Sequence, residues 1–244
     1  MKDALDRRYR EATERAAAKG AGAQAAELDS AGSSTSAVVC MSLSRAKEFI
    51  GNETTLYSTY QLQVRSSVRQ ASEPADDRMR LSVDSTVHGT YGEMIRYAAL
   101  SIDGLGPASY GEVSLKLRDI AVASRATVLE QNSWSFVQSR DLFGKELPPG
   151  YLATWGERNK LVCAKLADLL TPKTSSSEFA TLILTQATSR SEEEFLEVHV
   201  YGAFNMDSVE SVSGPSNPTK QLDIALVAWL KDKLDALGKT WVGK

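Results

Sequence analysis

Residues 195–201 (Phe195-Leu196-Glu197-Val198-His199-Val200-Tyr201) alternate strictly and stop at Gly202. Successive side chains of a strand point to opposite faces, so Leu196, Val198 and Val200 share one face and Phe195, Glu197, His199 and Tyr201 the other. The Leu/Val/Val face has to be buried, which commits the chain to a sheet with one covered side. A carboxylate at the centre of such a strand is costly unless it is hydrogen-bonded or opens on a cleft. The second face is therefore either a pocket wall or a solvated surface. Residues 113–118 alternate in the same way, and 126–129 and 179–184 are apolar and β-branched enough to read as further strands.

Helical spacing dominates elsewhere. Residues 2–19 are charged and Ala-rich, with Leu5, Tyr9, Ala12 and Ala16 on a narrow apolar stripe. Gly20-Ala21-Gly22-Ala23 and Ser30-Ala31-Gly32-Ser33-Ser34-Thr35-Ser36 have the composition of a tether, which predicts an N-terminal helix and linker over 1–36 and a compact domain over 37–244. Two readings stay open for the N-terminal segment: a secretion or chaperone-binding element, or a helix whose Leu5/Tyr9 stripe docks on the domain. Ser42 or Ser44 can cap a short turn over 45–50. Leu56, Tyr60, Val64 and Val68, at spacings of four, predict a helix over 54–69, closed by the polar run at 73–77. Residues 155–170 place Val162, Leu166, Leu169 and Leu170 on one face before Thr171-Pro172, and 220–237 form an amphipathic closing helix through Leu222, Ala225, Leu226, Trp229, Leu230, Lys233 and Leu237. Helices first and short strands later predict an α+β fold rather than a regular βαβ alternation.

Composition removes several functions. The chain has 244 residues, 42% of them hydrophobic, enough for a core without disulfide staples. Its 28 Lys and Arg are scattered among 31 Asp and Glu, net −3, so no basic face points to a nucleic-acid partner. Cys40 and Cys163 stand in apolar surroundings and read as buried thiols, and with two histidines they cannot form a Cys/His zinc site. No apolar run approaches a membrane span, and the N-terminus lacks the apolar core of a secretory signal. We expect no metal and no membrane partner, and any export by another route. No Gly-x-Ser-x-Gly elbow surrounds Ser133 or Ser135, no cysteine sits in an electropositive turn, and the phosphate-loop and Rossmann glycine patterns are missing.

Four segments then carry a resemblance. Tyr110-Gly111-Glu112 opens the 113–118 strand, Arg125-Ala126-Thr127 opens the next, Asn132-Ser133-Trp134-Ser135-Phe136 follows as a turn, and Leu196-Glu197-Val198 lies inside the late strand, with a tail over 202–212. In this order they resemble the Tyr-Gly strand, Arg-x-Thr strand, Ser-containing turn and catalytic-glutamate strand of ADP-ribosyltransferase-like domains in bacterial toxins, type III effectors and phage-encoded proteins. The resemblance spans about residues 85–212. It implies a split, mixed β-sheet core with a helical N-terminal lobe, and an NAD+–protein mono-ADP-ribosyltransferase of the glycosyltransferase class. Such a protein would be a secreted virulence effector or toxin acting in a host cytoplasm, or otherwise cytoplasmic. NAD would be the substrate cofactor and a host protein the acceptor.

The resemblance also implies roles. Cleaving the nicotinamide–ribose bond passes through an oxocarbenium-like state that a carboxylate stabilises, which suits Glu197. Ser133 or Ser135 would orient the ribose, Arg125 or Arg118 would hold the cofactor, Thr127 would stand beside them, and Tyr110, or Trp134 if it faces the cleft, would stack on nicotinamide. His88-Gly89-Thr90 competes for the first position, since a His, Tyr and Glu bracket the ribose in the diphtheria-toxin and poly-ADP-ribose polymerase arrangement; the alternative is a turn histidine with no chemistry. His199 forms an acid–base pair with Glu197 or merely fills space beside it. Phe195 stands where arginine- and asparagine-directed members carry Glu or Gln, so a threonine or serine acceptor is left open, with the branch that modifies threonine of ubiquitin as one neighbour. The contrasting reading is a non-catalytic interaction module on the same fold.

Overall fold

The computed structural model describes residues 2–59, 62, 74–187, 189 and 192–244. In chain order its elements are α1 (Lys2–Ala18), α2 (Gly22–Ser33), β1 (Ser36–Met41), α3 (Leu43–Gly51), α4 (Pro74–His88), β2 (Ile95–Ser101), β3 (Val113–Leu117) and α5 (Asp119–Val122). Then follow β4 (Ala126–Leu129), α6 (Ser133–Ser139), β5 (Leu152–Thr154), α7 (Arg158–Leu166), α8 (Phe179–Ile183), β6 (Leu184–Thr185), β7 (Glu194–Phe195), β8 (Glu197–Tyr201), β9 (Val209–Gly214), α9 (Gln221–Ala236) and β10 (Thr240–Gly243). The fold is mixed α and β. Eight strands form one sheet in the order β10-β9-β3-β1-β2-β8-β4-β5, and β6 and β7 form a short ribbon beside it. Every neighbouring pair in the large sheet is antiparallel except β9 and β10, which run parallel.

The sheet has two unlike faces, as the 195–201 alternation requires. Leu196, Val198 and Val200 join Val39, Leu100, Leu115 and Val128 in a core that the helices cover, with Leu5 and Leu28 from the N-terminal helices, Leu161 and Leu166 from α7, and Leu226 and Leu230 from α9. The opposite face carries Glu197 and His199 and a small apolar cluster of Ala99, Leu184 and Phe195, on which Tyr110 packs. The alternating stretch divides at Leu196. Phe195 pairs with Leu184 in the ribbon, whereas Glu197 onward pairs with β2 and β4 in the main sheet. Among the described residues no helix is long and apolar enough to cross a membrane.

Several local expectations need correction. Residues 22–33, whose composition suggests a tether, are helical, with Ala25, Leu28 and Gly32 buried. Small residues here serve close packing: a Cβ on Gly32 would stand 2.9 Å from the Asn159 backbone of α7. Residues 54–59 are not helical, because Tyr57 is drawn onto Phe204, rings stacked at 4.8 Å, with its N–H donating to the Phe204 carbonyl at 2.7 Å. Tyr60, Val64 and Val68 of the helix expected there lie outside the described residues. Of the strand expected at 179–184 only Leu184 is extended, in β6; residues 179–183 are the helix α8, which continues a 3-10 turn over 176–178 whose capping box has the Ser175 and Glu178 side chains satisfying each other's backbone N–H groups. Leu169 is 61% exposed rather than part of the buried face of its helix.

Candidate functional site

Three adjacent strands build the floor of the site. On β8, Glu197 and His199 follow each other on one face; the register sets Tyr97 of β2 and Thr127 of β4 on either side of His199, and Ala99 and Leu129 on either side of Glu197. Glu197 is only 4% exposed, and three N–H groups hold its carboxylate. The Ser133 backbone N–H donates to Oε1 at 3.1 Å, His199 Nε2 lies 2.9 Å from the same oxygen, and Asn132 Nδ2 donates to Oε2 at 2.9 Å. Toward an ionised carboxylate, which only accepts, His199 presents Nε2 as a donor. Asn132 is also the N-cap of α6, its Oδ1 accepting from the Trp134 and Ser135 N–H groups. One amide thus starts a helix and fixes the carboxylate.

Tyr110 forms a side wall. The next residue, Gly111, has φ +141°, and a Cβ there would stand 2.1 Å from the Met41 carbonyl carbon, so only glycine lets the chain pass the end of β1. This turn sets the Tyr110 ring edge-on to Phe195, centroids 6.0 Å apart, with its hydroxyl accepting from Asn132 Nδ2 at 3.4 Å.

Helix α4 closes the far side. Its last residue, His88, sits edge-on to the His199 ring at 4.4 Å, and Asp84 one turn earlier accepts a short hydrogen bond from the Tyr97 hydroxyl. Burial, with His199 beside it, pushes the His88 pKa down to about 2, so this imidazole is neutral near pH 7. Burial and then the Asp84 carboxylate push the Tyr97 phenol well above its ordinary range. His88 Nε2, His199 Nδ1 and Thr127 Oγ1 are buried and have no hydrogen-bond partner among the described residues.

A cleft of about 520 Å³ opens over this floor, with Glu197, Tyr97, Tyr110, Arg45 and Arg80 among its walls. Its size suits a small-molecule ligand. Cys40 also lines it, but burial raises the thiol pKa, which disfavours the thiolate that a nucleophile needs. Both cysteines are free; Cys163 is buried as expected, whereas Cys40 is half-buried.

Of the residues singled out from the sequence, Glu197, His199, His88, Thr127, Ser133 and Tyr110 come together. Ser133 is buried and meets Glu197 through its backbone N–H. Three others do not join this group. Arg125 spends its guanidinium on backbone carbonyls, Ala121 at 2.7 Å, Tyr201 at 3.1 Å and Ala203 at 2.8 Å, and so ties off the end of β8. Arg118 is exposed just beyond β3, its N–H donating to the Ser208 carbonyl at 2.8 Å. Ser135 lies within α6 and, like Trp134, is not a wall of the cleft. Sequence reasoning missed Asn132, Asp84, Tyr97, Arg45 and Arg80. Asn132 carried a signal as a capping residue type directly ahead of a helix, and Asp84 and His88 stand at the i, i+4 spacing that puts two side chains on one helix face. No protein-family model matches the chain, and no curated protein sequence matches it.

Proposed function

We propose that the cleft binds NAD and that the protein transfers ADP-ribose from it to a protein acceptor, on a sheet core of the ADP-ribosyltransferase type. One observation carries the reading: a nearly buried carboxylate, Glu197, is a wall of the cleft while three donors fix its orientation. NAD would supply an electrophilic ribose carbon whose bond to nicotinamide breaks, the electron pair leaving on the nicotinamide. Glu197 would stabilise the positive charge that develops on the ribose, a role that rewards a preorganised group in a water-poor site. Tyr110 offers an aromatic face beside it, and Arg45 and Arg80 supply positive charge for the pyrophosphate in place of Arg118 and Arg125. The acceptor then bonds to the ribose carbon and gives up a proton. Phe195 packs against Tyr110 and leaves no carboxylate or carboxamide for an arginine or asparagine acceptor, which favours a serine or threonine hydroxyl, as in the effectors that modify ubiquitin. A role as a host-directed effector or toxin accords with this chemistry.

The test is nicotinamide release from NAD by the full chain, with and without a eukaryotic lysate, and labelling of lysate proteins from labelled NAD. Glu197→Gln keeps the shape and removes the charge, and it is expected to lower release by on the order of 10² to 10³. NAD should also raise the melting temperature, because a ligand selective for the native state stabilises it. Neither release nor a melting shift at millimolar NAD would overturn the reading and leave the non-catalytic module.

A further inference from the structure

We propose, resting on the reading that Glu197 acts on NAD, that His199 is the positioning residue of the site: its Nε2–H holds Glu197 Oε1 in place while its Nδ1 carries no proton. His199 is fully buried and is not a wall of the cleft, so it acts only through Glu197. Its Nε2 lies 2.9 Å from an oxygen that also accepts from the Ser133 N–H, and these two donors fix Oε1 while Asn132 holds Oε2. The ring itself cannot turn freely. His88 meets it edge-on at 4.4 Å and Tyr97 at 5.4 Å, while the ladder sets Tyr97 and Thr127 on its two flanks.

The tautomer follows from which nitrogen finds an acceptor. A proton on Nε2 meets the carboxylate, whereas Nδ1 is buried with no hydrogen-bond partner among the described residues, and a proton there would be a donor stripped of water for nothing. The nearby orphan groups do not reverse this. Neither Thr127 Oγ1 nor His88 Nε2 makes a hydrogen bond to Nδ1, so neither provides an acceptor for a proton there. Positioning matters because a displacement of about 1 Å in a reacting group can cost on the order of 10² in rate.

Two variants and one spectrum test the assignment. His199→Leu removes the donor, whereas His199→Gln places an amide N–H near the former Nε2. His199→Leu is expected to lower the kcat of nicotinamide release by on the order of 10² with little change in KM for NAD, and His199→Gln to recover most of the loss. Nitrogen NMR of the imidazoles reads the tautomer directly, and with two histidines in the chain the His199→Gln spectrum identifies the signal. A protonated Nε2 and bare Nδ1 in the native protein support the proposal. A proton on Nδ1, or a His199→Leu protein with wild-type kcat, overturns it. A native protein that releases no nicotinamide refutes the functional reading instead, and the tautomer still decides whether His199 donates to Glu197. Should the Leu variant fail to fold, the Gln variant and the spectrum decide.

Discussion

Replacing Leu28 with alanine tests whether the second N-terminal helix carries the stability that its packing implies. Leu28 is fully buried, in the same apolar core as Leu5, Leu161 and Leu166, and α2 packs along α7. Asn159 Nδ2 donates to Asp29 at 2.9 Å across this contact, and the close approach at Gly32 leaves little room for the helices to collapse into a gap. Truncating a buried leucine removes its transfer free energy and leaves a cavity, together about 3 kcal/mol. In a chain of 244 residues, about 2 to 4 °C of melting temperature accompanies each kcal/mol, so Leu28→Ala should melt about 6 to 12 °C lower. Leu222→Ala is the control, since Leu222 is 68% exposed on α9 and its loss should stay within about 0.5 kcal/mol. Thermal melts of both variants by circular dichroism give the comparison. A Leu28→Ala shift below about 2 °C would refute the packing argument and return residues 20–36 to the tether that their composition suggests.

Two further outcomes follow from individual residues. His88 takes up a proton near pH 6.5 when unfolded but only near pH 2 in the fold, so its contribution is complete above pH 6.5 and is lost as pH falls, by up to about 1.4 kcal/mol per unit. Urea melts between pH 7 and 5 should show a flatter dependence in His88→Gln, and an unchanged slope would contradict the burial of a neutral imidazole. Gly111→Ala forces a Cβ to within 2.1 Å of a backbone carbon at a φ that alanine resists, and it should cost on the order of 3 kcal/mol or more; an unshifted melt would contradict the tight turn beside Tyr110.

Strands were legible where their two faces differ chemically. β3 and β8 each show an alternation because one face meets the helices while the other carries polar or aromatic groups. β2 hides for the opposite reason: Ile95 and Ala99 are buried beneath the site, Ala98 and Leu100 are buried against the helices, and Arg96 and Tyr97 interrupt what period remains. α2 hides because Ala25 and Gly32 pack through smallness, which composition alone cannot tell from flexibility, and Leu28 is the one large apolar residue of the helix. The same logic divides the site. Glu197 and His199 were visible because a charged and a titratable residue within an alternating strand demand partners, and Ser133 and Tyr110 because their short motifs stand at the ends of elements. Charge carries no direction: a guanidinium beside a strand is equally suited to a ligand and to backbone carbonyls, and the carbonyls at the end of β8 hold Arg125. Arg45 and Arg80 reach the cleft from α3 and α4, elements whose meeting is decided by antiparallel crossovers between distant strands and by no local period. A sequence therefore reveals the residue that needs a site sooner than the residues that complete it, because the need is local and the completion depends on the topology.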